Sequence, residues 1–197
     1  MLEIDLLGVW RTVRACLPQI TRRRGRVVVV ASVYAFMNPV LAGPYAISKA
    51  GVEQMGRALR AELAPHGASA SVAYFGLIDT KMVRDSFEDP VTSGVEELSP
   101  SWMTRSLAPS QAAAALVNGV ERRSPRIVAP GWWRLWSALR GILNPLIDAR
   151  LERDPKVRDI VRRADMEEAA DKRGGLAEEA HARRIADGPA ISSGPWR

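Results

Sequence analysis

The stretch Val27-Val28-Val29-Val30-Ala31-Ser32, with Tyr45-Ala46-Ile47-Ser48-Lys49 beginning thirteen residues beyond its serine, decides how this chain folds. Its unbroken run of small and β-branched residues suits a pleated backbone, and the lack of alternation predicts a strand buried on both faces. From Pro44 the period changes. Val52, Met55, Leu59 and Leu63 recur at helical spacing until Pro65-His66-Gly67 ends the helix, and residues 68–74 then read as a second strand. A strand, a long helix and another strand make a crossover, which joins parallel strands.

The same alternation extends outward on both sides. Upstream, Leu6, Trp10, Val13, Leu17 and Ile20 lie on one face of a helix predicted over residues 2–20, with Arg11 and Arg14 on the other. Downstream, the alanine-rich residues 110–122 predict another helix and residues 126–129 a short strand. The fold class is therefore α/β with a doubly wound parallel sheet.

Tyr45 and Lys49 are four apart on the predicted helix, so they share a face and the ammonium lies beside the phenol. A cation so placed favours the phenolate and is expected to pull the tyrosine below its usual value of about 10. Tyr45 then becomes a candidate acid/base near neutral pH. Ser32, at the end of a strand, can donate a hydrogen bond to the same substrate oxygen as charge develops on it. This is the layout of a site that reduces a carbonyl or oxidises an alcohol.

These residues resemble the short-chain dehydrogenase/reductase family, whose members carry a serine, then Tyr-x-x-x-Lys, then Pro-Gly-x-Ile-x-Thr after the next strand. Here the last element reads Phe75-Gly76-Leu77-Ile78-Asp79-Thr80, matching at Gly76, Ile78 and Thr80 but not at the proline. The resemblance covers residues 2–130. It implies that Ser32, Tyr45 and Lys49 are catalytic, and that Tyr45, Lys49, Gly76, Ile78 and Thr80 contact an NAD or NADP cofactor, the choice between the two being open. Ile4-Asp5-Leu6-Leu7-Gly8-Val9 resembles the helix whose asparagine completes the family's catalytic tetrad, and Asp5 stands at that place. The helices over 2–20 and 44–65 correspond to a frequent subunit contact of the family, which implies a homo-oligomer.

The family's opening strand and glycine-rich pyrophosphate turn have no counterpart in these 197 residues. Arg173-Gly174-Gly175 follows no strand and opens no apolar helix, so it is a poor substitute. The expectation is a truncated chain: the C-terminal half of a Rossmann-like domain over 1–131, a helical C-terminal extension over 132–187 and a disordered tail over 188–197. Turnover by this chain alone is not expected. Residues 82–106, rich in Asp, Glu, Ser and Pro, correspond to the family's mobile substrate flap.

The extension opens on three tryptophans. On a helix over 132–148, Trp132, Trp136, Leu139, Leu143 and Leu146 would line one face and Arg134, Ser137, Gly141, Asn144 and Asp148 the other, with Pro145 kinking or ending it. Three uses stand open: a lid over an apolar pocket, a helix lying in a membrane interface, or packing onto the domain or another subunit. Helical pieces are expected over 152–172 and 176–186, separated by Gly174-Gly175.

Composition narrows the function classes. The +6 formal charge arises wholly within residues 1–150, because residues 151–197 carry ten basic and ten acidic groups. Arg22-Arg23-Arg24-Gly25-Arg26 is the one dense basic run; without interleaved aromatics it reads as a solvated helix-to-strand connection, and no nucleic-acid partner is expected. Cys16, the lone cysteine, allows no internal disulfide, which suits a reducing cytoplasm. His66 and His181 have no partners suggesting a ligand set, so no metal is expected. The expected activity is NAD(P)-dependent interconversion of a secondary alcohol and a ketone on a small hydrophobic substrate. The alternatives are a non-catalytic subunit-association module and a peripheral membrane protein.

Overall fold

The computed structural model describes residues 1–88, 98 and 103–186. Three parallel strands, β1 (Arg26–Ser32), β2 (Ser69–Phe75) and β3 (Arg126–Ala129), stand in the order β1-β2-β3. β1 pairs with β2 from Arg26 opposite Ser69 to Ser32 opposite Phe75, and β2 with β3 from Val72 opposite Arg126 to Phe75 opposite Ala129. The helices are α1 (Val9–Arg22), continuous with a π-helical turn over Glu3–Gly8, then α2 (Gly43–Leu63), α3 (Lys81–Glu88), α4 (Pro109–Glu121), α5 (Trp133–Leu151) and α6 (Pro155–Ala186). Strand and helix alternate through β3, as the two sequence periods require.

α2 is the element that positions the site. Pro44 stands in its first turn, where its missing N–H costs nothing. Gly67, at φ 69°, closes the following 3₁₀ turn in the left-handed conformation glycine favours. Val52, Leu59 and Leu63 face the sheet and join Val29, Ala31, Val72 and Tyr74 in the core. Gly56 sets how closely α2 approaches: a Cβ there would lie 2.5 Å from Val72 Cγ2 and 2.6 Å from Val29 Cγ2. At Gly51 a Cβ would lie 2.7 Å from Leu6 Cδ1, so the same helix also receives the N-terminal turn closely.

Several expectations need correction. β1 is not buried on both faces: Val30 is 46% exposed. β1 ends the described sheet, and only its Val29 and Ala31 face lies beneath α2. Trp10 does not join Leu6, Val13, Leu17 and Ile20 on the core; it is exposed, with the Arg14 guanidinium 5.2 Å from its ring centroid. Residues 82–106 begin in helix α3, and residues 89–97 and 99–102 of that stretch lie outside the described residues, as does the tail over 188–197. α6 runs through Gly174-Gly175 without a break, each glycine costing only about 1 kcal/mol against alanine.

α5 meets the domain through mixed side chains: Trp133 is buried and Trp132 and Trp136 pack against the core, while Arg134 and Gly141 of the expected polar face are exposed. Ser137 is buried, accepting from the Arg126 guanidinium; Arg140 donates to both oxygens of Glu53 at 3.0 Å; Asn144 donates to Phe36 O at 3.0 Å. Leu139 and Leu146, from the predicted apolar face, are exposed together with Leu135 and Ile142. Buried Glu53 and the Phe36 carbonyl need partners, and a helix supplying three polar groups at matching spacing satisfies them where leucines could not. Pro145 does not end the helix, which continues to Leu151. The carbonyl it leaves unbonded is that of exposed Gly141, which water can satisfy.

Candidate active site

Ser32 is the last residue of β1 and also caps a short 3₁₀ turn, its Oγ accepting from Tyr34 N at 3.3 Å. The chain then turns through residues 33–42 into α2, whose first turn presents Tyr45. Ser32 Oγ also donates to Phe75 O at 3.4 Å, and the strand end and the helix start bring Ser32 and Tyr45 to the wall of one cavity. Tyr34 packs edge-on against Tyr45, centroids 6.0 Å apart. Ser48 is fully buried and ties its hydroxyl to Tyr45 O at 2.7 Å, bracing the helix behind the phenol.

Lys49 lies one turn further along, its Nζ 5.3 Å from the centroid of the Tyr45 ring. Asp5, in the π-helical turn, reaches the same ammonium at 3.7 Å. The close approach at Gly51 makes this meeting possible, so the serine, the tyrosine, the lysine and Asp5 form one constellation. The electrostatics differ from the sequence expectation. Burial raises the Tyr45 phenol above the usual tyrosine value; the Ser32 hydroxyl lowers it, and the Asp5 carboxylate raises it again. Tyr45 is therefore a firmly protonated phenol at neutral pH. Lys49 is shared with a carboxylate instead of serving the phenolate alone.

The loop after β2 supplies the facing wall. Gly76 N donates to Ala129 O at 3.0 Å, and a Cβ at Gly76 would lie 2.9 Å from Trp133 Nε1. Glycine there admits the indole of α5. Asp79 N donates to Leu107 O and Leu107 N to Leu77 O, both at 2.8 Å, pinning the two ends of the excursion. Thr80 Oγ1 accepts from Val83 N at 3.3 Å and starts α3.

Ser32, Tyr45, Lys49, Gly76, Ile78 and Thr80 all line one cavity of about 480 Å³. The sequence reading missed Tyr34, Met37, Leu41, Met103 and Trp133, which complete its apolar wall. Trp133 is 2% exposed, stacked on Trp132 at 3.9 Å and edge-on to Phe36. Periodicity alone puts its neighbours Trp132 and Trp136 on the working face; the buried polar partners of α5 would have been the signal for Trp133. Of the described residues lining the cavity, Lys49 alone carries a charge, and Asp5 balances it.

A family model described as short chain dehydrogenase matches residues 1–91. Among curated proteins, the chain is 43% identical over 70 residues to D-beta-hydroxybutyrate dehydrogenase, mitochondrial, of Bos taurus, covering 36% of this chain and 20% of that protein. It is 32% identical over 102 residues to 17-beta-hydroxysteroid dehydrogenase type 6 of Homo sapiens, covering 52% and 30%. Among solved structures, a short chain dehydrogenase from Burkholderia cenocepacia in complex with NADP has the same fold, with a TM-score of 0.61 at 22% identity over 76% of this chain and 58% of that one. The chain thus spans less than two thirds of each relative's length.

Proposed function

The chain belongs to the short-chain dehydrogenase/reductase family, and on that premise we propose that it forms the substrate and proton-transfer side of an NAD- or NADP-dependent oxidoreductase interconverting a secondary alcohol and a ketone. One observation carries the reading: Ser32 and Tyr45, from a strand end and a helix start, line the wall of a single apolar cavity with the Lys49 ammonium 5.3 Å from the tyrosine ring. A ketone oxygen between the two hydroxyls accepts a hydrogen bond from Ser32 and the proton of Tyr45. Lys49, 5.3 Å from the ring, stabilises the phenolate left behind, and Asp5 tempers that stabilisation.

The residues present suit the nicotinamide end of the cofactor. Ile78 offers an apolar wall and Thr80 a hydroxyl on the same cavity, while Gly76, Tyr45 and Lys49 complete the cradle. When bound, the nicotinamide supplies or takes up the hydride. No glycine-rich pyrophosphate turn lies among these 197 residues, so the test below supplies one. The cavity favours a neutral, hydrophobic substrate, because most of its described lining is apolar and its one charged side chain, Lys49, is already paired with Asp5.

The test is oxidation of NADH and NADPH with neutral apolar ketones and with a 3-oxo carboxylate, using the chain joined to a glycine-rich dinucleotide-binding segment. Turnover of the neutral ketones, lost with Tyr45→Phe, is expected. Activity that survives Tyr45→Phe would overturn the assignment. A second reading, association between copies through α1 and α2, draws support from exposed Ile4, Leu7 and Trp10 on successive turns. A species of monomer mass alone, by sedimentation at high concentration, would remove it.

A further inference from the structure

Beyond Lys49, α2 carries a second set of charged residues at helical spacing, Glu53, Arg57 and Arg60. With Arg126 of β3 and Ser137 and Arg140 of α5 they line a separate cleft of about 350 Å³. Four guanidinium groups thus face one carboxylate. The carboxylate is already taken: Glu53, 5% exposed, receives Arg140 on both oxygens at 3.0 Å. Among the described residues, the other three arginines are held by neutral acceptors. Arg60 donates to Ala70 O at 2.8 Å, Arg57 to Gln54 Oε1 at 3.0 Å, and Arg126 to Ser137 Oγ while lying over the Tyr74 ring.

Like charges gathered in one cleft beside buried Val72 and Tyr74 repel unless an anion sits among them. Each guanidinium has five donors in a fixed fork, so each of the three keeps donors beyond the one its neutral partner uses. That fork matches phosphate oxygens two at a time. The neutral acceptors orient the groups without cancelling their charge. We propose that this cleft is a binding site for a small phosphate-bearing anion, separate from the alcohol and ketone cavity. Its volume lies at the lower end of the range for small-molecule sites, about 300–1,000 Å³, which suits a phosphorylated metabolite.

The experiment is calorimetric titration of the full chain with inorganic phosphate and with pyrophosphate, at constant ionic strength in chloride. Saturable binding of both is expected, tighter for pyrophosphate. Arg57 and Arg126 are exposed, so Arg57→Gln and the double variant Arg57→Gln/Arg126→Gln should fold, as circular dichroism can verify. Each should weaken binding by about tenfold or more, since a hydrogen bond to a charged group commonly has at least that effect. Arg163→Gln, the same charge change at an arginine paired with Asp159 on α6, should leave affinity within about twofold. No heat beyond the chloride control would overturn the proposal. So would phosphate binding that persists in the double variant and is displaced by NADP, because that would locate the anion at the nicotinamide cofactor's own site.

Discussion

Gly56→Ala tests whether α2 is held at its observed distance from the sheet, on which the placing of Tyr45 and Lys49 depends. In an exposed helix the change would be favourable, by up to about 1 kcal/mol. Here the new methyl would lie 2.5 Å from Val72 Cγ2 and 2.6 Å from Val29 Cγ2, roughly an ångström inside contact distance. Val29 and Val72 are direct partners in the β1–β2 register, so the two obstructing methyls flank the same point. Valine is stiff at χ1, and neither side chain can swing away cheaply. The helix must lift instead. Overpacking of this kind costs about 1–3 kcal/mol; with clashes on two strands the upper figure applies, and after the propensity gain a net loss of about 2 kcal/mol remains. For a chain of this size that lowers Tm by about 4–8 °C. The assay is urea and thermal unfolding followed by circular dichroism, with Gly141→Ala as control. Gly141 is also helical, but a Cβ added there would meet nothing within 4 Å, so alanine should stabilise. If Gly56→Ala were as stable as the parent, or moved with Gly141→Ala, the packing argument would fail.

Three further outcomes follow from the site and from α5. Asp5→Asn removes one cause of the raised Tyr45 phenol and releases Lys49; in an ultraviolet titration of the tyrosines, one should ionise at lower pH than in the parent, and the difference should vanish when Tyr45→Phe is added. Tyr74 is also raised, chiefly by burial and then by Glu53. Above about pH 10 the unfolded chain therefore releases phenolic protons that the folded chain retains, so stability falls as pH rises beyond that point and is unaffected below it; Tyr74→Phe should lessen this alkaline loss in chemical unfolding, and an unchanged loss would count against it. On α5, Trp133→Ala should cost about 3–5 kcal/mol, whereas Leu135→Ser and Ile142→Ser should each stay within about 0.5 kcal/mol. The reverse ranking would mean that the helix docks by its leucines.

Much of the site was legible in the sequence because it is local. Tyr45 and Lys49 share a helix face at any four-residue spacing, and Ser32 terminates a strand that its valines announce. The loop from Gly76 to Thr80 sits beside them because parallel strands end at the same edge, so β1 and β2 deliver Ser32 and Phe75 as register partners. Asp5 was identified by position, yet its contact with Lys49 needs α2 to admit Leu6 at Gly51, a long-range packing fact.

Period and residue type, which act within a turn or a strand, are enough to determine the α/β class, the parallel strands and the Ser32, Tyr45 and Lys49 set. Tertiary structure decided what period cannot express. The phenol of Tyr45 is raised because burial and Asp5 outweigh what a neighbouring lysine would do in water. α5 turns Ser137, Arg140 and Asn144 toward the domain because the surface it meets offers a guanidinium, a buried carboxylate and a carbonyl as hydrogen-bond partners. A hydrophobic pattern records which residues would leave water if a partner were apolar; the partner's own unsatisfied groups decide which face is taken, and they come from segments far away in the chain.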